Sequence, residues 1–210
     1  MLTSPDVVLN VGKIVRQSKV IGPGKRIVIW LQGCSFRCKG CINQEFWSKE
    51  PNQLIPVSDL FNMILNTPDI EGVTYTGGEP FEQAEGLYPL SILLKDKGLS
   101  IMSYSGYTYE ELSNSDDRFK RLLFSCLDIL IDGQYECEKS APLLWRGSSN
   151  QKAYFLSPLY KDYEKLADEY KLQMAFSLEP ETNRISIEGN FSREILEEIK
   201  NRMKLYGINL

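Results

Sequence analysis

The sequence predicts an α/β protein organised around a parallel sheet, and three observations carry that expectation. Short apolar runs rich in β-branched residues alternate with amphipathic stretches at helical spacing. The order strand, helix, strand recurs with connections long enough for right-handed crossovers. The unusual clusters of Cys, Gly and Ser all fall where a strand ends, which is where parallel sheets gather their ligands. At 210 residues the chain suffices for one domain with a substantial core and a small appendage.

Arg26 to Leu31 reads Arg-Ile-Val-Ile-Trp-Leu and predicts a buried strand that stops at Gly33. Ser58 is placed to cap a helix carrying Leu60, Phe61, Ile64 and Leu65 on one face, ending near Thr67-Pro68. Gly72 to Thr76 is the second strand. Leu87 to Lys97 has helical pattern with its regular part expected from Pro89, and Gly98 closes it. Leu99 to Tyr104 is the third strand, Asp116 to about Phe124 a helix, and Leu127 to Ile131 the fourth strand.

Composition narrows the function classes. Lys plus Arg is 24 against Asp plus Glu 28, a formal net charge of −4, which argues against a dedicated nucleic-acid binder. No apolar run approaches a membrane span, so no membrane association is expected and the expected compartment is the cytoplasm. There is no internal repeat, low-complexity tract or block of like charge.

Cys34, Cys38 and Cys41 fall within eight residues, so three thiolates can converge from one loop. A cubane iron–sulfur cluster is normally held by four cysteines, and three would leave one iron open to another ligand. Zinc is the competing reading, but closed zinc sites take four Cys or His ligands. The chain has no histidine, and Cys126 and Cys137 lie far along it. An odd cysteine count without an export signal also argues against disulfides. Further on, Thr76-Gly77-Gly78-Glu79-Pro80 removes two side chains where a strand ends, allowing a ligand to approach the backbone, with Glu79 as acceptor for a cationic group. An ordinary Gly-Gly turn stopped by proline explains the same residues.

Taken together, these two segments resemble the radical S-adenosylmethionine (SAM) superfamily, and within it the glycyl-radical-enzyme activases of the anaerobic ribonucleotide reductase type. Matches continue in order with Gly22-Pro23-Gly24-Lys25-Arg26, Ile42-Asn43 after the third cysteine, Ser105 to Leu112, Asp128 to Gly133 and Leu144 to Gln151, covering about residues 20 to 155. The resemblance implies a partial (β/α) barrel in residues 1–155, with 156–210 as a C-terminal α+β extension packed on it. It implies that Cys34, Cys38 and Cys41 hold a [4Fe-4S] cluster whose open iron chelates SAM, and that reductive cleavage gives a 5′-deoxyadenosyl radical. Gly77, Gly78 and Glu79 would contact the methionine ammonium, Ser103 and Ser105 the ribose or carboxylate, and Gly40 and Ile42 the adenine. The implied partners are a glycyl radical enzyme, or another peptide substrate, and a flavodoxin or ferredoxin as electron donor. Other radical SAM targets, peptide or small molecule, stay open, as does a noncatalytic iron–sulfur or zinc protein; an ammonium-binding strand end has no use in the latter. Gly40 stands where many superfamily members place an aromatic residue, which agrees with the reductase activases. Histidines used near SAM by related activases have no counterpart.

The extension reads as folded. Ser157-Pro158 starts a helix with Leu159, Tyr163, Leu166, Ala167 and Tyr170 at helical spacing. Leu172 to Leu178 and Arg184 to Glu188 are expected as strands around a Glu179-Pro180-Glu181-Thr182-Asn183 turn, and Ser192 caps a final helix bearing Ile195, Leu196, Ile199 and Met203. It serves either as extra layers on the sheet or as a partner platform. Lys25, Arg26, Arg37, Lys39 and Lys49 form a basic rim in sequence, able to guide an acidic electron donor or simply solvated. Tyr104, Tyr107 and Tyr109 are expected in packing, Cys126 as a small buried hydrophobe and Cys137 as exposed.

Overall fold

The computed structural model describes residues 7–169, 171–179 and 184–207. In chain order the elements are β1 (Val8–Ser18), β2 (Arg26–Leu31), β3 (Gln53–Pro56), α1 (Val57–Leu65), β4 (Gly72–Gly77), α2 (Ala84–Asp96), β5 (Ser100–Tyr104), α3 (Tyr109–Ser113), α4 (Arg118–Ser125) and β6 (Ile129–Asp132). There follow β7 (Ser140–Leu143), β8 (Arg146–Ser148), β9 (Lys152–Phe155), a 3-10 segment Pro158–Leu166, β10 (Met174–Glu179), β11 (Arg184–Gly189) and α5 (Arg193–Lys204).

Seven strands form one mixed sheet in the order β3-β1-β2-β4-β5-β6-β9. Its centre, β2, β4, β5 and β6, is parallel as the alternation predicts, whereas β1, β3 and β9 pair antiparallel toward the two edges. The long β1 was hidden from the periodicity argument by register shifts between Val11 and Lys13 and between Val15 and Ser18, which change which side chains face inward along the strand. The sheet is open, and no closed barrel forms among the described residues.

Side-chain alternation divides the sheet into two faces. Ile27, Ile29, Leu31, Val73, Tyr75 and Ile101 are buried in one core with Leu60 and Ile64 of α1 and Leu87, Leu90 and Leu94 of α2. Even-numbered neighbours point the other way: Val28 and Trp30 cluster with Ile21 and Phe46, and Met102 with Leu144, Trp145 and Ala167. Helices therefore cover one face, and the chain beyond β6 contributes to the cover of the other.

Several strand and helix ends shift by one or two residues, and three elements differ more from expectation. The N-cap of α1 is Pro56 and makes no side-chain cap bond, so Ser58 lies inside the first turn. Helix α2 begins at Ala84 with Pro89 inside it, because the Pro80–Gln83 turn has already set the helical direction. In the extension the predicted helix is a 3-10 segment interrupted by non-helical Tyr160. The hairpin β10–β11 and helix α5 form as expected, with the Ser192 hydroxyl accepting from the Ile195 N–H. Tyr170 and residues 180–183 of the predicted turn lie outside the described residues.

Candidate functional site

The cysteine loop leaves the C-terminal end of β2 through Gly33, whose φ of 103° requires glycine. Backbone bonds then close the loop: Gly33 N–H donates to the Phe46 carbonyl at 2.8 Å, Cys34 N–H to Trp47 at 3.2 Å, and Cys41 N–H to Cys38 at 3.1 Å. Arg37 and Gly40 both take positive φ, 49° and 77°, so the chain turns sharply between cysteines. Ser35 N–H donates to Glu82 at 2.9 Å, and Lys49 pairs with the same carboxylate at 2.9 Å. The Phe36 ring meets Tyr107 edge-on at 4.8 Å between centroids. The loop is thus fastened to three neighbouring segments.

Cys34, Cys38 and Cys41 are half-buried and line one pocket together with Gly40, Ile42, Gly77, Gly78, Glu79 and Ser105. Burial pushes all three thiols up from their ordinary pKa. Backbone N–H groups of Arg37 and Phe36 at Cys34, Tyr135 at Cys38 and Asn43 at Cys41 act in the opposite direction, favouring thiolate. The buried indole N–H of Trp47 has no oxygen partner and lies beside the Cys41 sulfur. Such N–H donors around sulfurs stabilise the anionic ligands of iron–sulfur clusters. Among the described residues, no three His, Cys, Asp or Glu side chains are gathered for a single metal ion.

The Gly-Gly segment proves to be a packing requirement. A Cβ on Gly77 would stand 2.6 Å from the Trp30 Cα, and one on Gly78 only 2.1 Å from the Gly33 carbonyl oxygen. Gly78 N–H donates to Leu31 at 2.7 Å and Glu79 N–H to Gly33 at 2.8 Å, so the end of β4 is stitched to the root of the cysteine loop. The vacated space holds this chain's own backbone, while the opposite side of the segment lines the pocket.

Glu79 is buried and acts as a clamp. Its Oε1 accepts from Phe81 N–H and the Ser105 hydroxyl, both at 2.9 Å, and its Oε2 from Gly106 N–H at 2.7 Å. Burial nevertheless outweighs those bonds, and the carboxyl is raised to about 7. Ser105 is occupied in turn, donating to Glu79 and accepting from Tyr107 N–H at 3.0 Å. Ser103 is not brought to the pocket: it is fully buried, its hydroxyl donates to the Tyr104 carbonyl, and odd parity turns it toward the helix-covered face.

Gly40 has a structural reason for lacking a side chain. A Cβ there would meet the Cys137 Cβ at 3.0 Å and the Tyr135 ring at 3.5 Å, so the nearby aromatic ring comes from Tyr135, far along the sequence. Cys137 is half-buried against this loop and not exposed as expected, whereas Cys126 is buried as expected. The basic rim is largely neutralised. Lys25, Lys39 and Lys49 pair with Asp69, Glu138 and Glu82. Arg26 is fully buried, donating to the Thr74 and Ser100 hydroxyls and to the Val73 and Ser100 carbonyls. Glu82, Trp47 and Tyr135 carried no sequence signal, since only the folded loop brings them to the cysteines.

Comparison with known proteins agrees with this geometry. Residues 20–154 match the family model described as "4Fe-4S single cluster domain". Proteins named anaerobic ribonucleoside-triphosphate reductase-activating protein are similar: that of Enterobacteria phage T4 is 30% identical over 152 residues, covering 70% of this chain and 94% of the relative. Those of Pasteurella multocida and Haemophilus influenzae are each 33% identical, over 153 and 141 residues, covering 64% and 62% of this chain and 90% and 87% of theirs. Three thiols at one strand end, set against a glycine-rich second strand end, thus accompany a match over most of the chain: it belongs to the 4Fe-4S single cluster domain family and, within it, to the anaerobic ribonucleoside-triphosphate reductase-activating proteins.

Proposed function

We propose that this protein is a radical SAM activase that installs a glycyl radical on a partner enzyme, the anaerobic ribonucleotide reductase in the first instance. The observation that carries the reading is that Cys34, Cys38 and Cys41 line one pocket together with Gly77, Gly78, Glu79 and the Ser105–Gly106 turn. The three cysteines would hold a [4Fe-4S] cluster, and the pocket-facing backbone of Gly77 and Gly78 would receive SAM beside it. When bound, the cluster and SAM supply an electron and a carbon-centred radical able to take a hydrogen atom from a glycine Cα.

What the chain itself contributes is placement. Three cysteines on one loop in a chain without histidine suit a cluster better than a closed zinc site. Glu79, held by three donors, fixes the spacing between the ends of β4 and β5. Gly40 and Ile42 line the pocket where adenine would lie. In this reading residues 1–155 are the radical SAM core of partial-barrel type and 156–210 an extension. Electrons would come from a flavodoxin or ferredoxin.

Anaerobic reconstitution with iron and sulfide, followed by SAM and a low-potential reductant, tests the reading. Formation of 5′-deoxyadenosine is expected; an intact cluster without that product excludes it. Replacing Cys38 with Ala should abolish the cluster absorbance, and a full [4Fe-4S] spectrum in that variant would refute the ligand assignment.

A further inference from the structure

The pocket that holds the cysteines has a second wall. Ile187, Glu188, Phe191 and Arg193, on or just after β11, line it with the thiols and Glu79. All four lie beyond residue 154, where the family match ends.

Two polar groups on this side of the pocket are unfinished. Glu188 is 4% exposed, and the Ser18 hydroxyl and the Lys13 ammonium are the polar groups nearest its carboxyl. Even so, its Oε2 has no hydrogen-bond partner among the described residues. Trp145 is 3% exposed, packed against Phe155 and Tyr163, and its indole N–H is likewise without a partner. A buried polar atom left unpaired is destabilising, and an isolated one in a pocket marks a place where a ligand completes the bonding. Apart from the Trp47 indole beside Cys41, the pocket offers one acceptor and one donor, the complement of a peptide backbone, which presents an N–H and a carbonyl.

SAM also carries N–H and O–H donors. The curated relatives, however, are aligned over as much as 94% of their own length by no more than 70% of this chain. A carboxylate in the additional segment therefore serves what differs between these proteins, and a shared cofactor does not differ. We propose that Glu188 Oε2 and the Trp145 indole receive the glycine-bearing peptide segment of the partner, the carboxylate accepting a backbone N–H and the indole donating to a backbone carbonyl. This deepens the activase reading and rests on it.

The test uses the reconstituted protein with SAM and without reductant, titrated with short glycine-centred peptides tiled from the anaerobic ribonucleotide reductase of the same genome. One peptide is expected to bind, and Glu188→Met to weaken it by about tenfold or more, the loss of one charge-assisted bond. Glu188→Gln, which keeps one carbonyl acceptor, should recover most of that loss, and Trp145→Phe should weaken binding separately. N-methylation of one backbone nitrogen should weaken wild-type binding and add nothing in Glu188→Met, as a coupled pair requires. SAM affinity should stay unchanged, and Glu188→Gln, whose amide nitrogen can face the Ser18 hydroxyl while its oxygen takes the unpaired position, should melt no lower than wild type. The proposal is overturned if no peptide binds, if Glu188→Met binds like wild type, if SAM affinity falls instead, or if Glu188→Gln melts well below wild type. Failure of wild type to form 5′-deoxyadenosine on reduction would reject the activase reading separately, since peptide binding is measured without turnover.

Discussion

Gly78 illustrates how little freedom single positions have around the cysteine loop. Its missing Cβ would overlap the Gly33 carbonyl, so Gly78→Ala must push β4 away from the loop root. A cost of roughly 2 kcal/mol or more is expected in denaturant melts, with reduced iron retention after reconstitution. Unchanged stability and iron content would show that the strand ends separate freely. Glu79 gives a pH prediction. Its folded pKa of about 7 lies above the ordinary 4.5, so between those values the folded protein holds a proton that the unfolded chain has released. Stability from this group is therefore complete below about pH 4.5 and is lost as pH rises through about 7. At about 1.4 kcal/mol per pKa unit the change is roughly 3 kcal/mol. Melting the cluster-free protein against Glu79→Gln across that window isolates the effect, since the extra fall should occur only in wild type. At this scale the sequence revealed the cysteines and the Gly-Gly-Glu run, but not their reasons: the glycines make room for β2, and Glu79 spends its oxygens on neighbouring N–H groups and a hydroxyl.

Among the elements, the central strands were legible because their apolar residues run without interruption, as burial on both faces demands. Strand β1 was not, because its register shifts break the alternation. Arg26 shows the same limit within a strand. Sequence placed it in a solvated basic rim, yet it lies at the start of β2 with its guanidinium tying β4 and β5 together through Thr74, Val73 and Ser100. Its charge is satisfied by neutral oxygens, and burial lowers its pKa from the usual value. Arg26→Ala should strand those acceptors and cost about 3 kcal/mol or more. Equilibrium denaturation measures this, and a change below about 1 kcal/mol would mean that water replaces the side chain freely. Ser103 and Ser105 look equivalent in sequence, but strand parity sends Ser103 to the helix-covered face and the turn after β5 carries Ser105 to the pocket.

For the whole molecule, the two sheet faces have different custodians. Helices α1 and α2 cover one; Met102, Ile129 and Ile131 on the other are buried with Trp145, Phe155 and Ala167. Ending the chain after residue 155 should expose that second face, seen as increased binding of a hydrophobic dye and a lower melting temperature. A truncated chain that melts like the full one would show that residues 156–210 are not needed to cover it. Among the described residues no helix is long and apolar enough to cross a membrane.

The sequence by itself determined the α/β class, the parallel centre, the three-cysteine loop and the strand ends that face it, because periodicity and ligand spacing are local properties. Only the tertiary structure decided which glycines make room for backbone, which charges are buried or paired, and that the C-terminal segment supplies a wall of the cysteine pocket. Those outcomes depend on contacts between residues far apart in the chain, as Gly40 with Tyr135 and Arg26 with Ser100 show. No local pattern encodes them.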